Sequence, residues 1–232
     1  MSDVVLAAVI TGGCTIIAAF IAYRYGKKTG EKNTKKKLLP FSKYQGGYRI
    51  THEEVELFFK SRHIVEVRRK SNFVVTSNSL SEIKHSMSWS GQKYKKSVLD
   101  DNDIAKGYSI IDDSERQISP FDIIINFPEL KKGETGSYTM TTHVEDEQKL
   151  MKPCFAHLIK SPSDKLTLKL TVRGNLVESV CWAISAGSFG TNVLCEKQTA
   201  PSEVNGDLQV YKIEEKEPEL FQYYFIEWKF KK

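Results

Sequence analysis

With 232 residues, 40% of them hydrophobic and 27% charged, the chain is long enough for one anchor and one globular domain, and this composition excludes a disordered or low-complexity protein. Its net charge of +5 is unevenly placed: eight of the 34 Lys/Arg and two of the 29 Asp/Glu lie in residues 1–43, leaving the remainder with 26 against 27. The basic excess sits in that first stretch and is no mark of a nucleic-acid-coating body.

From Val4 to Tyr23 run 20 residues without a charge, which as a helix span about 30 Å, the thickness of a bilayer core. Only Asp3 precedes the run, whereas Arg24, Lys27, Lys28, Lys32, Lys35, Lys36 and Lys37 follow it. Cations beside a span stay in the cytoplasm, so residues 1–24 are expected to cross a cell inner membrane once, with the N-terminus outside and the body inside. Ala8, Gly12, Thr15, Ala19 and Ala22 form a seam of small residues, with Thr11 beside it. Such a seam lets helix backbones approach in lipid, which predicts a homo-oligomer whose helices pack together or line a pore. Residues 25–43 read as a basic neck suited to anionic headgroups, ended by Pro40 if it is helical.

Residues 44–232 read as short β segments. Val55–Lys60, His63–Arg69 and Phe73–Thr76 are rich in β-branched and aromatic residues, and Ile83, His85, Met87 and Trp89 alternate with Lys84, Ser86 and Ser88. Phe121–Phe127 is expected to end at Pro128, with Glu129–Glu134 as a turn and Tyr138–Thr142 following. Lys165–Val172 alternates most regularly, and Leu176–Ile184, Leu208–Ile213 and Phe221–Phe230 continue the pattern. About ten to twelve strands at this spacing predict an all-β body, an antiparallel β-sandwich with a β-barrel as the alternative.

No enzyme site emerges. The histidines (His52, His63, His85, His143 and His157) lack ligand spacing, and no Gly-rich loop runs into Lys-Ser/Thr. Gly187–Gly190 reads as a turn and Asp100–Asp103 as an acidic loop without calcium spacing. His85, in an alternating strand, reads as a core or cross-strand residue. Cys14, Cys154, Cys181 and Cys195 form no Cys-x-x-Cys pair and are expected as buried free thiols. The expectation is a protein without catalytic residues, metal or cofactor.

Ligand binding has better candidates. Residues 60–96 hold nine Lys/Arg against two Glu, while residues 97–147 hold four against twelve acids. Arg62, Arg68, Lys70, Lys93, Lys95 and Lys96 can address phosphate, Trp89 and Tyr94 offer stacking faces, and Arg173 ends the regular strand. Alternation places Arg68 and Lys70 on one face and Arg69 on the other. The competing reading is a solvated face whose charges partly pair with the acidic block.

In its organisation, an N-terminal span, a basic neck and a cytoplasmic β domain, the whole chain resembles the membrane effectors of bacterial anti-phage systems. One such group, the transmembrane β-barrel effectors of cyclic-oligonucleotide signalling, carries two spans where this chain has one. The other, the channel-like Hailong effectors, is held in check by short DNA from a partner nucleotidyltransferase. The resemblance implies an oligomer whose soluble domains sense a nucleotide or short oligonucleotide and whose helices open or disrupt the membrane. The rival class is an anchored adaptor that recruits a protein partner.

Overall fold

The computed structural model describes residues 46–89, 93–100, 104–112, 119–147, 151–186 and 193–231. Gly46–Lys232 forms one compact unit. The expected span and neck lie outside the described residues, and among those residues no helix is long and apolar enough to cross a membrane.

The described residues hold fourteen strands: β1 (Tyr48–Ser61), β2 (Ile64–Val75), β3 (Ser79–Trp89), β4 (Lys93–Leu99), β5 (Gly107–Asp112), β6 (Ser119–Lys131), β7 (Thr135–Glu145), β8 (Cys154–Leu158), β9 (Lys165–Arg173), β10 (Val177–Ala186), β11 (Val193–Thr199), β12 (Glu203–Asn205), β13 (Leu208–Lys216) and β14 (Gln222–Phe230). The body is all-β, as expected, and its sheets are not closed into a barrel. A seven-stranded sheet runs β12-β13-β9-β1-β2-β7-β4, a four-stranded sheet β11-β10-β14-β8 and a three-stranded sheet β3-β6-β5. Pairing is antiparallel throughout these strands except between the central strands β1 and β9, which run parallel.

Two apolar clusters show how the sheets face one another. Val55, Leu57, Phe59, Leu166, Leu168 and Leu170 of the large sheet meet Val177, Val180, Ile226 and Trp228 of the four-stranded sheet. Tyr48, Ile50, Phe73, Val75, Tyr138 and Met140 of the same large sheet meet Ile83, Ile123, Ile125 and Phe127 of the three-stranded sheet. One face of the large sheet is therefore covered by both smaller sheets, each over its own half.

Two irregularities reset which residues point inward. Along β1, Tyr48 and Ile50 are buried, and so are Glu53, Val55, Leu57 and Phe59. The step from even to odd numbers falls at Thr51, an extra residue between the pairs Ile50–Phe73 and His52–Asn72. Along β6, Pro128 does not end the strand as expected. It lies where three residues oppose Ser81 alone, between the pairs Leu80–Leu130 and Glu82–Asn126. A residue without an N–H is tolerated in such a bulge. The turn expected over Glu129–Glu134 is confined to Lys132 and Gly133, with Gly133 at φ +88°.

Candidate functional site

Strand β2 carries the predicted cations as its alternation requires. Val65, Val67, Arg69, Ser71 and Phe73 are buried, whereas Arg68 and Lys70 are exposed on the opposite, outer face of the large sheet. Their cross-strand neighbours on β1 are Glu56 and Glu54. Both acids are engaged with β9: Glu54 accepts from Lys169 Nζ at 2.8 Å and Glu56 from the Thr171 hydroxyl at 2.6 Å. Arg68 and Lys70 make no ion pair among the described residues. On the other side, Arg68, Thr139, Thr141, His143, Leu99 and Asp100 line a shallow depression. Strand β4 borders it, with Lys96 in register with His143 and Lys93 with Glu145.

The rest of the predicted block is dispersed. Arg62 stands in the β1–β2 turn with its guanidinium 4.8 Å from the Phe230 ring centre, a cation–π contact. Arg173 is at the far end of β9, exposed and 3.5 Å from Asp207. Trp89 pairs with Ser119 in the three-stranded sheet while Tyr94 pairs with Val144 in the large one, so the two proposed stacking residues belong to different sheets. Lys95 falls at a register shift in β4. Part of the block does pair locally: Lys60 with Glu66, and Lys84 with Asp122 at 2.7 Å. Ala8, Thr11, Gly12, Thr15, Ala19 and Ala22 lie outside the described residues, as do Cys14 and 187–190. Cys154 and Cys181 are free thiols, but half-buried rather than buried. Burial, with Glu227 beside it, pushes the Cys154 thiol up to about 12, so it is no nucleophile at neutral pH.

A second arrangement, unmarked by any motif in the sequence, is a buried polar chain under the large sheet. Glu53 (β1) receives His157 Nε2 (β8) on one carboxylate oxygen at 3.0 Å, and its other oxygen lies 3.5 Å from Arg69 Nη1 (β2). Arg69 Nη1 reaches His85 Nδ1 (β3) at 2.5 Å, and His85 Nε2 meets the Tyr138 hydroxyl (β7). All five residues are buried. The edge strand of each smaller sheet, β3 and β8, thus contributes one histidine to a single ion pair in the large sheet. Burial pushes the Glu53 carboxyl up, but His157 and Arg69 beside it prevail and hold it well below the usual carboxylate range. Burial first, and the Arg69 charge second, hold the His85 imidazole well below its ordinary 6.5. Burial likewise drives the Tyr138 phenol far up, so it stays protonated. Glu53 Oε1 and Arg69 Nε are buried without a hydrogen-bond partner among the described residues. Among the described residues no group of three or more His, Cys, Asp or Glu is placed to hold a metal ion.

No protein-family model matches the chain, and no curated protein sequence does. Similar solved structures include the M1 zinc metallopeptidase from Deinococcus radiodurans, at 11% identity over 79% of this chain and 43% of that one, with a TM-score of 0.44. A two-domain M1 zinc metallopeptidase bound to L-tryptophan is similar at 10% identity, with the same coverage and a TM-score of 0.43. The chain spans less than half the length of either.

Proposed function

We propose that this protein is a membrane-anchored effector without catalytic activity, whose β body binds an anionic, nucleotide-like ligand on the outer face of its large sheet. One observation carries the reading. Arg68 and Lys70 stand exposed beside a depression and without ion-pair partners among the described residues, while the neighbouring acids Glu54 and Glu56 are held by β9. Arg forks onto phosphate in two bonds, and the register of β4 adds Lys93 and Lys96 at the border. Asp100 lines the same depression, so the recognised anion contacts the β2 side of it. The anchor, the inner-membrane location, the helix seam and the homo-oligomer rest on residues 1–24. The antiviral role and a nucleotidyltransferase partner rest on the resemblance in organisation. For the ligand to act on the membrane, it must favour one arrangement of the bodies over another.

The test is fluorescence anisotropy of a labelled short oligonucleotide with the full-length chain. Arg68→Gln and Lys96→Gln should each weaken binding by about 1 kcal/mol, roughly fivefold. The logarithm of affinity should fall against that of salt with a slope of about −0.7 for each phosphate engaged. Lys216→Gln, at the exposed end of β13, should change nothing. Binding indifferent to salt and to both substitutions sinks the proposal.

A second reading, an anchored adaptor that adds a strand from a protein partner, draws on β12. All three of its residues are exposed at an edge of the large sheet, with Val204 at 61%.

A further inference from the structure

We infer that the buried chain of Glu53, Arg69, His85, Tyr138 and His157 is a one-sided proton-sensitive lock. Acidification releases the three-stranded sheet from the large sheet, while the four-stranded sheet stays held.

The asymmetry follows from what each histidine faces. A guanidinium has only donors, so the His85 Nδ1 that Arg69 Nη1 approaches at 2.5 Å must accept. The ring proton therefore sits on Nε2, toward the Tyr138 hydroxyl. A second proton on Nδ1 would set N–H against N–H and cation against cation, and the Arg69–His85 contact could not survive it. His157 is placed the other way. Its Nε2 already donates to Glu53 at 3.0 Å, and a charged imidazolium makes the same bond more strongly.

The remaining surroundings of His85 agree. Around it stand Arg69 from β2, Glu53 from β1, Tyr138 from β7 and His157 from β8, with Lys160 farther out. The cross-strand neighbour on β6 is Ile123, which is apolar. Only Glu53 favours a proton on His85, and it is already shared between Arg69 and His157. A proton therefore binds His85 only after β3 has moved away from β2 and β7. Opening of the three-stranded sheet is linked to proton uptake, and opening of the four-stranded sheet is not.

The size of the effect follows from an ordinary imidazole. At pH 5.5 a released histidine with a pKa of about 6.5 favours the open form roughly tenfold more than at pH 7.5. Hydrogen exchange read by mass spectrometry on the full-length chain, at the two pH values and corrected for intrinsic rates, measures this directly. The expected result is exchange about tenfold faster in β3, β5 and β6 at pH 5.5, with β8, β10 and β14 no faster than at pH 7.5. His85→Gln, which can still accept from Arg69 and donate to Tyr138, should remove the pH response. His157→Gln should leave it in place. Equal loosening of both sheets, no response at pH 5.5, or a response that persists in His85→Gln would overturn the inference. Should His85→Gln fail to fold, the contrast between the two sheets in the parent and in His157→Gln decides it alone.

Discussion

Glu53 and Arg69 stand 3.5 Å apart with side chains only 4% and 8% exposed, a placement that desolvates both charges. Such a pair contributes little net stability, yet removing one member leaves the other charge buried alone. Glu53→Gln should therefore destabilise the body by about 3–5 kcal/mol, whereas the joint change Glu53→Leu with Arg69→Met should cost far less. Urea denaturation of the single and double variants, read as a double-mutant cycle, checks this. The pH dependence has a definite sign. His85 takes a proton near 6.5 in the unfolded chain but only well below that when folded. Its contribution is fully present above 6.5 and is lost as pH falls below it. Glu53 behaves likewise in a lower window, holding its contribution above about 4.5 and losing it further down. A melting temperature that is flat above pH 7 and declines in two acid steps is the expected record. From the sequence, His85 was legible as a buried strand residue, but its partners were not. Glu53 was hidden for two reasons. Counting by twos from Tyr48 and Ile50 puts it on the outer face until the extra residue Thr51 is known, and its partner His157 lies 104 positions away.

Among the strands, legibility followed the number of neighbours, with the cleanly alternating edge strand β3 as the exception. β9, flanked on both sides, was read almost to its ends because Leu166, Leu168, Leu170 and Val172 must all point into the core. The strands without a clear signal in the sequence are β4, β5, β8, β11 and β12, and each is at an edge of its sheet. An edge strand has one partner and no obligation to alternate cleanly, and charge on it prevents unwanted pairing. Lys93-Tyr94-Lys95-Lys96 accordingly read as a ligand cluster rather than as the start of β4. Alternation alone separates Arg68 and Lys70 from Arg69 on inner strand β2, and the structure shows the first two to be outward. β7 holds a different constraint at Gly136, where the Phe73 ring of the facing strand lies over the backbone. A methyl group there would come within 2.4 Å of Phe73 Cζ and 2.6 Å of Ile104 Cδ1. Phe73 is fully buried against Tyr48, Phe127 and Tyr138 and has no room to yield. Gly136→Ala should cost about 1–3 kcal/mol in thermal or urea unfolding, the range for overpacking.

At the scale of the whole molecule, the parallel pair at the centre of the large sheet decides the order of events in time. β1 has β2 as one neighbour through a tight turn, but its other neighbour is β9, with Val55 opposite Leu168. A ribosome adding 5–20 residues per second needs roughly 6–20 s to reach that partner. Until then the β9-facing edge of β1 stays open, and the nascent chain carries a partly apolar strand paired on one side only. Loop closure over such a separation is unfavourable before contacts form, so the β1–β9 union belongs to the late side of the folding barrier. Stopped-flow folding of the full-length chain should then show milliseconds to seconds rather than microseconds. Leu168→Ala should act chiefly by speeding unfolding, whereas Val67→Ala, in the β1–β2 hairpin, should chiefly slow folding. The reverse pattern would mean that the centre of the sheet assembles first and the hairpin condenses onto it.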